Sequence, residues 1–426
     1  MKIKKPELLA PAGNFTKLKT AFAFGADAVY IGGECFSLRA QADNFTVEEM
    51  KAAVTLADSL GKRIFVTMNI IARDYDLEKI VEYAKELEEI GVHGVIIADI
   101  GTFMAVKEAC PNLKIHVSTQ ANNLNWKTVD FWLKSGAERV NLARELSLEE
   151  IDSINRNLLK AHPELKDRPQ EEPYLEAFVH GAMCMSFSGR CMLSDYLTGR
   201  SSNRGDCAQP CRWNYYVTEE QRPNEYMPVV ENERGTFIFN SKDLCMIKYL
   251  PELIAAGVGS LKIEGRMKSE FYTAVVTRAY RKAIDYCCEN FLEYSQNEDF
   301  INELIRELCS VSHRDYSTGF YLGNKGEQIF SSSSYSRDSD FIGIVKSCFE
   351  AEDGLFETVF SLKGAFNVGD ELEFLIPGDT ENHKFAVNEM FNAYGESIQR
   401  APHAMMEVHV KTPFATTDGT LIRSWK

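Results

Sequence analysis

Short apolar, β-branched runs alternate with amphipathic stretches over the first two thirds of the chain. The runs are ELLAP at 7–11, AVYIG at 28–32, IFVTMN at 64–69, GVIIAD at 94–99, IHVSTQ at 115–120, RVNLAR at 139–144, LEAFVH at 175–180 and SLKIE at 260–264. Between them, as at 46–60 and 76–90, apolar residues recur at helical spacing. Glycines in LGKR, IGVHG, SGAER and AGVGS close several of these stretches, because glycine accepts the left-handed conformation that ends a helix. Strand then helix, repeated eight times over roughly 270 residues, predicts an α/β fold: a closed, TIM-like (β/α)8 barrel rather than an open doubly wound sheet. No GxGxxG follows the first run, so nothing specific favours a dinucleotide fold.

One connection breaks the rhythm. Roughly 60 residues separate the seventh run from a helix expected at 243–256, too many for an ordinary loop between strand and helix. This insertion, 181–240, leaves the carboxyl end of a barrel strand, the end at which barrel enzymes build their active sites. After a long helix expected at 270–288 the texture changes. The serine-rich SSSSYS at 331–336 precedes short alternating segments at 341–345, 355–362, 370–376 and 406–410 with Gly, Pro and Asp turns between them. The expected organisation is a barrel domain at 1–320 and a small all-β barrel module at 330–426.

Charge and cysteine content narrow the chemistry. The 426 residues carry a formal net charge of −15, with 45% hydrophobic and 26% charged residues, an ordinary globular composition. The start, MKIKKPELLAPAG, has no apolar run of signal-peptide length, and no stretch of about 18 apolar residues occurs anywhere. A cytoplasmic protein without membrane association is therefore expected. In a reducing compartment the eleven cysteines point to metal binding or chemistry more than to disulfides. The acidic sum argues against nucleic acid unless basic residues cluster locally. Residues 260–282 do so, with Lys262, Arg266, Lys268, Arg278, Arg281 and Lys282 against Glu264 and Glu270. That window is either an RNA-backbone contact or an ordinary solvated helix face.

The most specific pattern is Cys184-x6-Cys191-x15-Cys207-x3-Cys211 inside the insertion. Four thiolates so close in sequence can converge on one centre at little loop-closure cost. The spacing favours an iron–sulfur cluster over zinc, whose knuckles use x2 pairs, and leaves buried free cysteine as the bland alternative. Cys245 is a fifth candidate. A second pattern is polar residues at strand ends: Asn69, Asp99, Gln120, Arg144 with Glu145, His180, and Glu264 with Arg266. Barrel geometry directs such groups into one basin. Arg39, Arg144 and Arg266 can clamp carboxylates, so an anionic small molecule is the expected ligand. His180 and Glu264 are the expected proton-transfer groups, and Arg266 joins them as a catalytic candidate. Arg39, Asn69, Gln120, Arg144 and Lys242 form the expected substrate-binding set. There is no HExxH, no GxSxG and no evident Ser, His and Asp grouping; a Cys184–His180 thiol pair ranks below the metal reading.

At EAFVHGAMCMSFSGRC, 176–191, the chain resembles the collagenase-like peptidase family U32. The resemblance continues through APAG, GADAVYIGG at 25–33, SLRA at 37–40, the block at 125–151, CAQPCRW at 207–213, NSKDL at 240–244 and SLKIEGRMKS at 260–269, and covers nearly all of 1–320. Within that family the chain is most similar to the prephenate-dependent tRNA uridine hydroxylases, which form 5-hydroxyuridine at the anticodon wobble position. The resemblance implies a 4Fe-4S cluster on Cys184, Cys191, Cys207 and Cys211, with Cys211 preferred over Cys245. It also implies prephenate as co-substrate, tRNA as substrate at its anticodon region, and for some members a paralogous partner subunit. Prephenate is a dicarboxylate, in keeping with the arginine-rich rim. The family's name keeps a peptidase acting on collagen-like or unfolded peptides as the alternative activity.

Overall fold

The structure is a computed structural model, and it describes residues 3–38, 43–169, 172–184, 186–213, 217–219, 222–227, 241–323, 336–351 and 354–426. Eight parallel strands form its centre: β1 (Glu7–Pro11), β2 (Ala28–Gly32), β3 (Arg63–Met68), β4 (Gly94–Ile97), β5 (Ile115–Val117), β6 (Arg139–Asn141), β7 (Leu175–Ala182) and β8 (Ser260–Ile263). Each pairs with the next, and β8 pairs with both β1 and β7, which closes the barrel. All eight runs expected from the sequence are these strands. Helices α1 (Phe15–Ala23), α2 (Val47–Ser59), α3 (Asp74–Ile90), α4 (Ile100–Ala109), α5 (Trp126–Lys134), α6 (Leu148–Ala161), α7 (Leu250–Ala255) and α8 (Glu270–Glu289) follow them. Capping is explicit: Thr46 and Ser147 each close a capping box with a glutamate three residues on, and Asn14, Asp99, Asn125 and Ser269 cap α1, α4, α5 and α8.

The helix expected to start at residue 243 starts later. Asp243–Cys245 is a strand that runs antiparallel to the upper half of β7, pairing Leu244 with Gly181 and Cys245 with His180. A polar anchor decides this. Buried Asp243 accepts hydrogen bonds from Arg314 at 2.7 and 3.0 Å, fixing the segment in extended form before the chain turns into α7.

The apolar side chains divide into two layers. One lies between the barrel wall and the helices; the other is a small inner cluster of Leu9, Ala28, Tyr30, Phe65 and Ile96. Below that inner cluster the barrel interior is ionic. Buried Arg139 donates to Glu7 at 2.6 Å and Glu176 at 3.0 Å, Lys262 donates to Glu176 at 2.8 Å, and Asn141 donates to the same carboxylate at 2.8 Å. Each charge is matched, which is the condition for burying ions at tolerable cost.

Beyond α9 (Glu298–Cys309), an antiparallel sheet spans Ser339–Trp425, with the long strands Ser339–Glu350, Phe356–Leu362, Glu407–Thr412 and Leu421–Trp425. It has its own core around Phe360, Phe366, Leu372 and Phe374. A buried network ties it to the barrel helices. Arg423 donates to Glu307 and Glu373, both at 2.6 Å, and Arg278 of α8 donates to Asn382 at 2.5 Å and to the Glu381 carbonyl at 2.7 Å. Most of the serine-rich stretch lies outside the described residues.

Candidate functional site

At the carboxyl end of the barrel strands opens a cavity of about 540 Å³, roofed by the segment that follows β7. Its floor is Tyr30, Ile96, Asn141, Phe178 and Lys262. Its wall carries Asn69, Gln120, Arg144, Glu264 and Arg266, five residues expected from the sequence. All four expected cysteines, Cys184, Cys191, Cys207 and Cys211, line the roof. The fold thus brings the two patterns, strand-end polar groups and loop thiols, to one space.

The roof is held from both sides. Arg204 forks onto Asp76 at the start of α3, at 2.8 and 3.2 Å, and this hydrogen bonding holds the Asp76 carboxyl below its ordinary pKa. Across the mouth Asn122 donates to the Ser188 carbonyl at 3.1 Å and accepts from Arg190 Nε at 2.6 Å. Gly189, at φ +76°, sits where a Cβ would lie 3.0 Å from Gln120, so a side chain there would be strained and crowded. Within the roof, Ser202 and Asn203 donate to the Cys191 carbonyl at 2.8 and 3.2 Å, and the Gln209 amide donates to Cys207 Sγ at 3.4 Å. Among the described residues no three His, Cys, Asp or Glu side chains gather tightly enough to hold a metal ion; the four cysteines share one cavity lining.

Arg144 is the central cation of the wall. Its guanidinium lies 3.7 Å over the Phe178 ring and donates to the Ala182 carbonyl at 2.9 Å and to Glu264 at 3.3 Å. Its Nε, together with Gln120 Oε1 and Asn141 Oδ1, is buried without a hydrogen-bond partner. Three orphaned polar atoms around one cavity are what a polar ligand would satisfy. Arg266 is anchored to Ser37 Oγ at 2.8 Å and to the Leu38 carbonyl, and a Cβ at Gly32 would collide with its guanidinium, so glycine there makes room for the cation. Next to Arg144, burial raises the Glu145 pKa even though backbone amides, including that of Ser188, hydrogen-bond the carboxylate.

Several expected residues stand elsewhere. Strict alternation along β7 would send His180 inward after Glu176 and Phe178. The ladder with β8 instead shifts register between Lys262 and Ile263, and Gly181 takes φ +106°. Past that irregularity the His180 ring sits among Tyr272, Tyr280 and Tyr316, 1% exposed and outside the cavity lining. Burial there pulls its pKa down to about 3, so it is neutral at physiological pH. Cys245 faces Tyr280 Oη at 4.0 Å, and burial pushes its thiol up to about 11; it does not line the cavity. Asp99 caps α4. Lys242, half-buried beside Asp243, is also outside the lining. Arg39 lies outside the described residues.

The basic window 260–282 is corrected. Lys262 and Arg266 are 4% exposed and face the barrel interior, Arg278 is 3% exposed in the contact with the C-terminal sheet, and Arg281 pairs with Asp27 at 3.0 Å and Asp285 at 2.6 Å. These charges are spent inside the molecule, so the window offers no continuous cationic face to RNA. The sequence reading missed Tyr30, Asn141, Phe178 and Lys262 as cavity residues. A signal for Lys262 was present: Ser260, Lys262 and Glu264 place polar groups at period two on one face of a barrel strand.

Comparisons with known proteins agree with this architecture. The model of peptidase family U32 matches residues 13–330, and that of the peptidase family U32 C-terminal domain matches 337–423. The chain is 39% identical to tRNA hydroxylation protein P1 of Bacillus subtilis (strain 168), covering 99% of this chain and 96% of that protein. It is 36% identical to tRNA hydroxylation protein P of Escherichia coli (strain K12), over 93% and 92%. Identity to a collagenase of Porphyromonas gingivalis (strain ATCC BAA-308 / W83) is 31%, over 76% and 75%. With a family model matched across the barrel and its roof, and the companion model across the C-terminal sheet, the chain belongs to peptidase family U32.

Proposed function

We propose that this protein is a tRNA-modifying enzyme that hydroxylates C5 of the wobble uridine, using prephenate as co-substrate and a 4Fe-4S cluster as cofactor. The observation that carries the reading is the single cavity in which four thiols meet a cation-lined wall with unsatisfied polar atoms. The high similarity of tRNA hydroxylation proteins over nearly the whole chain supports the same reaction class, whereas the collagenase is matched at lower identity and over less of the chain. Among the cavity residues there is no serine–histidine pair or histidine-bearing metal set to serve a peptidase, because His180 lies outside the lining.

Cys184, Cys191, Cys207 and Cys211 would hold the cluster. Four soft thiolates on one loop segment lining one cavity suit an iron–sulfur centre, whose loops tolerate wider spacings than the paired cysteines of a zinc knuckle. When bound, such a cluster supplies one-electron chemistry next to the substrate. The protein's own groups bind and orient. Arg144, stacked on Phe178 and carrying a free Nε, binds one carboxylate of the co-substrate. Gln120 and Asn141 accept from hydroxyl groups through their orphaned amide oxygens, the Asn141 nitrogen being held by Glu176. Glu264, held by Arg144, is the acceptor for a proton released in the cavity.

Nucleosides of tRNA from a strain lacking the gene test the reading. Loss of 5-hydroxyuridine derivatives, restored by the wild-type gene, is the expected outcome; unchanged levels in a strain without a paralogue would overturn it.

A further inference from the structure

We propose that the aromatic rim of the cavity, formed by Phe187 and Tyr196 on the roof, is a stacking platform for the unpaired nucleotides that flank the reacting base of an RNA loop. The inference rests on the tRNA hydroxylation reading and adds to it the surface that receives the substrate. Tyr196 is 86% exposed and Phe187 46%, and Tyr75 and Trp213 are exposed as well, outside the cavity lining. Phe187 and Tyr196 also line the cavity, so the apolar rim is continuous with the reaction space.

The short helix Leu193–Thr198 carries the argument furthest. It buries Ser194 completely, through bonds from the Ala208 amide at 3.0 Å and to the Arg200 carbonyl at 2.7 Å, while Tyr196 and Leu197 point to solvent. A helix shaped by folding alone would bury the aromatic ring and expose the hydroxyl. Apolar rings kept at a cavity mouth mark an interaction surface. Their companions identify its partner. Arg190, exposed at the same mouth, is held by Asn122 through Nε, and no carboxylate among the described residues pairs with it. Arg204, whose charge is met by Asp76, lies 5.6 Å from the Tyr75 ring. Exposed rings beside the Arg190 guanidinium match the π-faces and phosphates of an unpaired strand.

The test uses the full-length protein with its cluster reconstituted, a fluorescently labelled anticodon stem-loop RNA, and a gene-deletion strain for complementation. Phe187→Ala with Tyr196→Ala should weaken RNA binding by about tenfold or more per stacked base lost and leave the tRNA under-hydroxylated, while Tyr196→Phe should bind as wild type does. Affinity within about twofold of wild type in the double alanine variant overturns the proposal. So does a variant that keeps RNA affinity but loses binding of a denatured-collagen peptide, which would assign the rim to peptides. Failure of the wild-type gene itself to restore hydroxylation would instead refute the underlying tRNA reading, and the two failures are thereby distinguished.

Discussion

Replacing His180 with phenylalanine separates a structural histidine from a catalytic one. The imidazole is enclosed by Tyr272, Tyr280 and Tyr316, and burial, only partly opposed by Asp243, depresses its pKa to about 3. In the unfolded chain it titrates near its ordinary value of about 6.5. The unfolded state therefore binds a proton that the folded state refuses. Stability is full above that value and is lost as pH falls, until the folded group titrates too. From about pH 7.5 to about pH 5 the linkage relation gives a loss of about 2 kcal/mol from this residue alone. Phenylalanine retains the ring packing and removes the titration. Urea unfolding of wild type and His180→Phe at both pH values should show the wild type losing about 2 kcal/mol more on acidification. A double difference below about 0.5 kcal/mol would refute the buried-neutral assignment. At neutral pH the variant should still hydroxylate tRNA; a folded but inactive His180→Phe would return this histidine to the reaction.

Other consequences can be checked separately. Arg139→Met leaves Glu7 and Glu176 without their shared cation and should cost about 3–5 kcal/mol in urea unfolding, part of it recovered by adding Glu176→Gln. Arg278→Ala removes donors to Asn382 and to the Glu381 and Asp379 carbonyls, and should loosen the C-terminal sheet by about 2–4 kcal/mol, seen as earlier proteolysis of that module. Cys207→Ser should reduce iron and sulfide content and cluster absorbance after anaerobic reconstitution, whereas Cys245→Ser, outside the cavity, should leave both unchanged; the opposite result would move the cluster to Cys245. The slope of log affinity for tRNA against log salt should correspond to only about 1–3 phosphate contacts.

The barrel was legible because its strands are short apolar β-branched runs and its helices end at glycine, both local signals. The thiol set and the strand-end groups Asn69, Gln120, Arg144, Glu264 and Arg266 were legible for the same reason, since barrel geometry converts position in a repeat into position in space. What failed was everything decided by a distant partner. His180 follows the inward alternation of β7 until a register shift against β8, more than 80 residues later in sequence, turns it aside. The cations of 260–282 look free in sequence because their acceptors lie elsewhere, Glu176 for Lys262 and the 379–382 turn for Arg278. Asp243 likewise becomes a strand residue through Arg314.

That redistribution of charge bears on how an acidic protein can act on RNA. With a net charge of −15 and several of its arginines and lysines engaged in the barrel interior and the interdomain contact, the molecule cannot derive its affinity from neutralising many phosphates. Affinity must then come from contacts whose strength does not depend on the overall field. Base stacking is such a contact, worth about 1–3 kcal/mol per base. A few aromatic rings at the cavity mouth would suffice to hold a loop whose bases are already unpaired, and would hold a duplex poorly. The same acidity that argues against non-specific RNA binding thus favours selection of a single-stranded loop at the cavity mouth, where Phe187 and Tyr196 stand exposed beside the cysteine-lined space.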